Sequence, residues 1–276
     1  MTMAIETTEL KRVFKTYQKP EGLMNSIKGI WNRKYDEKVA LNSTTLSIEQ
    51  GKIIGLVGAN GAGKTTLLKM LSGLVVPSSG EARVLGFKPW ERDYEFLRQI
   101  SILLGQKNQL WWDISPMDSY ALLARIYDLE PSAARKKVHE LAEVLNCTHV
   151  LNTQLRRLSL GERMKMEIIG SLLHDPRVLF LDEPTIGLDI VAQESIRNFL
   201  QKYVKEKQPT VILTSHYMDD IATLADKLLL ISQGNIVYQG TVDEFVKNSN
   251  EENIGSEEVD FEEVIRRFLE KESRIR

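Results

Sequence analysis

Apolar positions along this chain follow two rhythms, and their alternation predicts the fold. Short runs rich in β-branched and leucine residues stand at Ile53-Ile54-Gly55-Leu56-Val57, Val178-Leu179-Phe180-Leu181, Val211-Ile212-Leu213 and Leu228-Leu229-Leu230-Ile231. Their length suits buried strands. Between them, apolar residues at helical spacing predict helices from Leu67 and over residues 161–173, 191–203 and 218–225. Strand and helix in such alternation predict a mostly parallel sheet covered by helices. Residues 5–17 alternate loosely and predict an edge strand; 39–48 predict a second strand and 82–85 a short third. Gln233-Gly234-Asn235 reads as a hairpin turn into Ile236-Val237-Tyr238.

Three stretches depart from this scheme. Residues 91–158 read as mainly helical, clearest at 121–127 and 133–145, and predict a helical subdomain at about 91–160 inserted between core segments 1–90 and 161–240. Leu23, Met24, Ile27, Ile30 and Trp31 recur at helical spacing, so an extra amphipathic helix is expected over about 23–34, packed on its own domain or facing a membrane surface or partner. Beyond 240, residues 247–260 read as a polar, acidic linker before an amphipathic helix carrying Val264, Ile265, Phe268 and Leu269.

Composition narrows the class. Of 276 residues, 42% are hydrophobic and 27% charged, with a formal net charge of -2. That supports a sizeable core and argues against disorder and against a dedicated nucleic-acid binder. The single cysteine, Cys147, reads as a small buried residue and fits a reducing compartment. The first residues lack a secretory pattern, and no apolar run approaches the roughly twenty residues of a membrane helix. A soluble chain, or one peripheral through a partner, is expected.

The chemistry centres on Gly58-Ala59-Asn60-Gly61-Ala62-Gly63-Lys64-Thr65-Thr66, which fits the P-loop pattern G-x-x-x-x-G-K-[ST] between a strand and a helix. Gly58, Gly61 and Gly63 lack Cβ, so the backbone can take positive φ and press its N–H groups against phosphate oxygens. The helix N-terminus behind them carries partial positive charge. Lys64 suits the β- and γ-phosphates, and the Thr65 hydroxyl suits Mg²⁺. At the end of the strand 178–181, Asp182 suits the metal and Glu183 a base that activates water. Alone, an acidic pair at a strand end is a solvated turn; beside a P-loop it gains a function.

With these motifs the chain resembles the ATP-binding subunit of an ABC transporter. Leu158-Ser159-Leu160-Gly161-Glu162 stands where that family has its Leu-Ser-Gly-Gly-Gln signature, Gln106 where it has the Q-loop glutamine, Gly187-Leu188-Asp189 where it has the D-loop and His216 where it has the switch histidine. The resemblance runs from about residue 5 to 240. It implies an α/β fold of the P-loop NTPase kind, a mostly parallel sheet with an antiparallel β edge and an inserted helical subdomain. It also implies a head-to-tail dimer in which ATP lies between residues 58–66 of one subunit and Ser159 and Gly161 of the other. Glu183, His216 and Gln106 would then be catalytic, with Thr65, Gln106 and Asp182 on Mg²⁺. Gly58, Asn60, Gly61, Ala62, Gly63, Lys64, Thr65, Thr66 and Asp189 would contact or support the nucleotide. An aromatic before the P-loop strand stacks on adenine in this family; Phe14 and Tyr17 both qualify, and the offset from Leu10 favours Phe14.

Two departures stand in the signature: Leu160 for the first glycine and Glu162 for the glutamine. Leu160 is harmless if the glycine gives only flexibility, and harmful if its backbone must approach ATP with positive φ. Implied partners are membrane permease subunits on separate chains and a second ATPase subunit, identical or homologous, which would hold the chain at the cytoplasmic face of the membrane. Trp111-Trp112 lies beside the loop where such permeases dock, although adjacent tryptophans on a helix would face different ways. Residues 84–112 and Pro184-Thr185-Ile186-Gly187-Leu188-Asp189 look most like bacterial exporters. The alternatives are an importer, or an ABC ATPase that moves no solute, such as one in cluster assembly.

Overall fold

The computed structural model describes residues 2–17, 35–105, 107–251 and 261–275. In chain order they form β1 (Met3–Tyr17), β2 (Tyr35–Glu49), β3 (Ile53–Val57), α1 (Lys64–Leu71), β4 (Ser79–Val84), α2 (Tyr94–Leu97), β5 (Ile100–Leu104), α3 (Pro116–Ile126), α4 (Pro131–Val144), α5 (Leu160–Leu172), β6 (Val178–Asp182), α6 (Ile190–Lys207), β7 (Thr210–Thr214), α7 (Met218–Leu224), β8 (Lys227–Ser232), β9 (Asn235–Thr241), α8 (Val242–Glu251) and α9 (Phe261–Ile275). A six-stranded sheet runs in the order β5-β6-β7-β3-β8-β9, parallel except for β9. A three-stranded antiparallel sheet runs β2-β1-β4.

Every residue of β3, β6 and β7 is buried, which is why these strands read as unbroken apolar runs rather than as alternation. Successive residues still face opposite cores. Ile54, Leu56, Phe180 and Ile212 pack with Leu67, Leu68 and the small sheet, whereas Ile53, Val57, Leu181 and Leu213 pack beneath α5, α6 and α7. Burial of each such side chain stabilises the fold by about 1.5–3 kcal/mol. The Gln233-Gly234 turn, with φ of 47° and 79°, joins β8 to β9 as a hairpin, as the sequence predicts.

Four expectations need correction. β1 is the central strand of its sheet, not an edge, because β2 and β4 pair on its two sides. Its loose alternation comes from register shifts between Thr7 and Leu10, Leu10 and Arg12, and Arg12 and Val13, which break the two-residue period. Within the stretch read as helical, Ile100–Leu104 is instead a strand of the main sheet; a short apolar run does not tell strand from helix by period alone. Trp111 and Trp112 lie in the loop between β5 and α3, not on a helix, and both are exposed. The Arg163 guanidinium sits 4.7 Å from the Trp112 ring.

The fourth correction concerns the tail. Residues 242–251 are helical, so the segment read as a linker from 247 begins inside α8. Thr241 and Glu244 close a capping box, with Glu244 N–H donating to Thr241 Oγ1 and Thr241 N–H to Glu244 Oε2. As expected, α9 buries Val264 and Ile265 and packs Phe268 and Leu269 on the core. There Tyr238, Phe245, Phe261 and Phe268 form an edge-to-face aromatic cluster. The expected helix at 23–34 lies outside the described residues. Among the described residues no helix is long and apolar enough to cross a membrane.

Candidate active site

The carboxyl ends of β3, β6 and β7 converge where a parallel sheet places its ligand groups. From β3 the chain turns through residues 58–63 into α1. Gly61 and Gly63 have φ of 79° and 115°, as the sequence predicts. Gly58 does not take positive φ; a Cβ there would lie 2.2 Å from the Ile231 carbonyl oxygen, so close approach, not dihedral freedom, demands glycine. Lys64 is almost wholly buried, and its ammonium donates to the carbonyls of Gly58 (2.6 Å) and Ala59 (3.2 Å). Burial pushes its pKa down, while the charges of Glu183 and Asp182 pull it back.

Asp182 ends β6 between two hydroxyls. Thr65 Oγ1 donates to Asp182 Oδ2 and Thr214 Oγ1 to Asp182 Oδ1, each at 2.8 Å. The next residue, Glu183, has φ of 56°, a strained left-handed backbone for a side chain of this size. Two bonds hold it there: its N–H donates to Thr214 Oγ1 and to the Thr214 carbonyl. The result brings Glu183 Oε1 within 2.9 Å of His216 Nε2. Thr214 is a site residue that sequence reasoning passed over; a threonine ending a strand one place before Ser215-His216 was its signal.

A pocket of about 240 Å³ is lined by Phe14, Lys38, Ala40, Asn60, Gly61, Gly63, Lys64, Thr65, Thr66 and Glu183. A second, of about 150 Å³, adjoins it and includes Thr65, Gly105, Lys107, Asp182 and Glu183. Ala62 is buried, its N–H donating to the Ala59 carbonyl. Gln106 lies outside the described residues; its neighbours Gly105 and Lys107 line the second pocket. Phe14 lies at the pocket with the Arg12 guanidinium 4.5 Å from its ring. The Tyr17 side chain is outside the described residues. The hard oxygen donors of Thr65 and Asp182, beside room for phosphates, fit Mg²⁺, which takes one or two protein oxygens and completes its shell with phosphate and water.

Ser159, Gly161 and Asp189 stand away from both pockets, at the N-termini of α5 and α6. Ser159 caps α5 in a capping box: its hydroxyl and N–H both donate to Glu162 Oε2, and Glu162 N–H donates back to Ser159 Oγ. Asp189 caps α6 through Ala192 N–H. A Cβ on Gly161 would sit 3.0 Å from Ala192 Cβ, so this glycine lets α5 approach α6 closely.

The family model described as ABC transporter matches residues 41–186, more than half of the chain. The ABC transporter ATP-binding protein NatA of Bacillus subtilis (strain 168) is 30% identical over 227 residues, covering 81% of this chain and 92% of its own. The chain belongs to the ABC transporter family. As an ABC transporter ATP-binding subunit, it binds and hydrolyses ATP. The doxorubicin resistance ATP-binding protein DrrA of Mycobacterium tuberculosis (strain ATCC 25618 / H37Rv) is 34% identical over 206 residues, covering 75% of this chain and 62% of that one. A dimeric ATP-binding cassette, MJ0796, solved in a post-hydrolysis state bound to ADP and Pi, superposes with a TM-score of 0.72 at 20% identity over 86% of this chain and 98% of its own; it shares the fold.

Against the family signature, both departures acquire a structural reading. Leu160 is the first helical residue of α5 and is not among the residues with positive φ, so a leucine costs the backbone nothing there. A Cβ on Gly187 would touch its Cδ2 at 3.4 Å. Glu162 supplies the carboxylate that closes the cap.

Proposed function

We propose that this subunit works in pairs, closing on ATP and driving export of a solute through separate permease chains at the cytoplasmic face of the membrane. Residues 58–66 would cradle the phosphates, with Lys64 moving its ammonium from the Gly58 and Ala59 carbonyls to the β- and γ-phosphates. Mg²⁺ held by the oxygens of Thr65 and Asp182, with Gln106 a further ligand, would neutralise charge on the phosphate oxygens. Glu183 would take a proton from water as that oxygen bonds to the γ-phosphorus and the bond to the ADP oxygen breaks. His216 would hold the Glu183 carboxylate and the γ-phosphate in line. Phe14 would stack on adenine. Ser159, Gly161 and Asp189 would serve the nucleotide bound by the second ATPase subunit, whether identical or homologous.

One observation carries this reading: Thr65 and Glu183 line one pocket with Lys64, the first bonded to Asp182 and the second to His216. Nucleotide that contacts both subunits only when they are closed shifts the pair by that difference in affinity. Export is favoured by relatives named for daunorubicin and doxorubicin resistance. The test is purification of the tagged chain from gently solubilised membranes of its source. A stoichiometric multi-span membrane protein, with phosphate release that Glu183→Gln abolishes, supports the reading. Recovery with soluble partners alone would overturn the transport role.

A further inference from the structure

Asp220, in α7, is a buried carboxylate that no role above uses. It is 1% exposed and ties together segments that are far apart in sequence. Its Oδ2 accepts from Thr185 Oγ1 at 2.6 Å and from Ser215 Oγ at 2.7 Å. Its Oδ1 accepts from Arg197 Nε at 3.0 Å and Nη2 at 2.9 Å. Ser215 Oγ in turn accepts the Tyr217 N–H at 3.0 Å, and Asp220 N–H donates to the Tyr217 carbonyl at 3.1 Å. Of the neighbours of His216, Ser215 is thereby fixed to the carboxylate directly, and Tyr217 through the Ser215 hydroxyl and the Asp220 backbone.

The other two partners belong to the opposing segment. Thr185 stands two residues past Glu183, and Arg197 lies on α6, about two helical turns beyond the Asp189 cap. A core that needed only packing would hold apolar side chains here as well as an ion pair, because desolvation offsets much of the pair's attraction. What such a network adds is a single geometry. We propose that Asp220 is a positioning residue for hydrolysis: it registers the His216 loop against the Glu183–Asp189 segment, so that His216 Nε2 meets Glu183 Oε1. Through Arg197 the same carboxylate also ties the histidine loop to α6, the helix that Asp189 caps. This rests on the reading that Glu183 and His216 serve ATP hydrolysis.

The experiment is a double-mutant cycle in the purified full chain, with ATP binding measured at equilibrium and turnover followed by radiolabelled phosphate release below the melting temperature of every variant. Asp220→Asn should lower kcat by about tenfold or more, as small misplacements of reacting groups do, while the Kd for ATP stays within about threefold. In a His216→Ala background the same change should cost nothing further, since Asp220 acts through the histidine. Ser215→Ala should repeat the pattern more weakly, and Ser215→Thr, which keeps the hydroxyl, should restore turnover. Should Asp220→Asn fail to fold, Ser215→Ala and Thr185→Val carry the same cycle. Equal fold-losses in both backgrounds, or an unchanged kcat, would overturn the positioning role. Native turnover in both Glu183→Gln and His216→Ala would overturn the hydrolytic reading itself, and the proposal with it.

Discussion

Two polar parts of this subunit, the P-loop site and the start of α5, are built in opposite ways. At the P-loop, the polar groups are held by bonds between distant segments: Thr65 to Asp182 and Thr214 to Asp182 cross sequence gaps of 117 and 32 residues. At the start of α5, Ser159 is satisfied by Glu162, three residues away. The first part is organised by the sheet and stands ready whenever the sheet does. The second is complete by itself, and its serine hydroxyl must leave Glu162 before it can donate to a phosphate. The Thr65–Asp182–Thr214 array is therefore placed by the sheet, whereas a phosphate role for Ser159 would require its hydroxyl to give up Glu162.

Changes at the sheet-built half should have the larger effects. Glu183→Gln should lower kcat by about 10²–10⁴-fold, the usual worth of a positioned base, while ATP binding persists. Equal loss of binding and turnover would show that Glu183 holds nucleotide rather than water. Lys64→Ala should weaken ATP binding by about 1.5–3 kcal/mol, the range for a hydrogen bond to a charged group; calorimetric titration reads it directly. Phe14→Ala should cost about 1–3 kcal/mol of ATP affinity if the ring stacks on the base. An unchanged affinity would move stacking to another residue.

The same contrast explains what the sequence made legible. The P-loop and the Asp182-Glu183 strand end were readable because their residue types sit next to one another along the chain. Thr214 and Asp220 were not, because their importance arises from partners that only tertiary folding delivers. β5 was hidden because a five-residue run, apolar but for Ser101, carries no decisive period of its own between helices, and its identity as a strand is conferred by β6. The central place of β1 was hidden by its bulges. By contrast α8 could have been found from the pattern Thr241-Val242-Asp243-Glu244, a local capping signal.

The smallest expected effect lies at the self-contained half and turns on the sign of a titration. Hydrogen bonds from the Ser159 hydroxyl and then its N–H hold the Glu162 carboxyl below its ordinary value of 4.5, with nearby His149 adding to them and burial opposing. A carboxylate whose pKa is depressed by folding contributes stability above the unfolded value, and that contribution is lost as pH falls through the folded value. Glu162→Gln has no such titration. Its amide carbonyl can still accept the Ser159 N–H, and its NH₂ can donate to Ser159 Oγ, leaving the hydroxyl proton free. The native chain should therefore be more stable than Glu162→Gln at neutral pH by about 0.3–1 kcal/mol, the worth of a negative charge in a helix's first turn. That margin should shrink as pH falls below 4.5. Paired thermal melts across the range would detect it, and a margin constant down to pH of about 3 would mean that the carboxylate's charge is not what closes the cap. If the freed hydroxyl matters for phosphate, the same variant placed in the Glu183→Gln background should dimerise at lower ATP than Glu183→Gln alone. A higher ATP requirement would instead mean that the closed cap, with its carboxylate in place, is the form that meets the nucleotide.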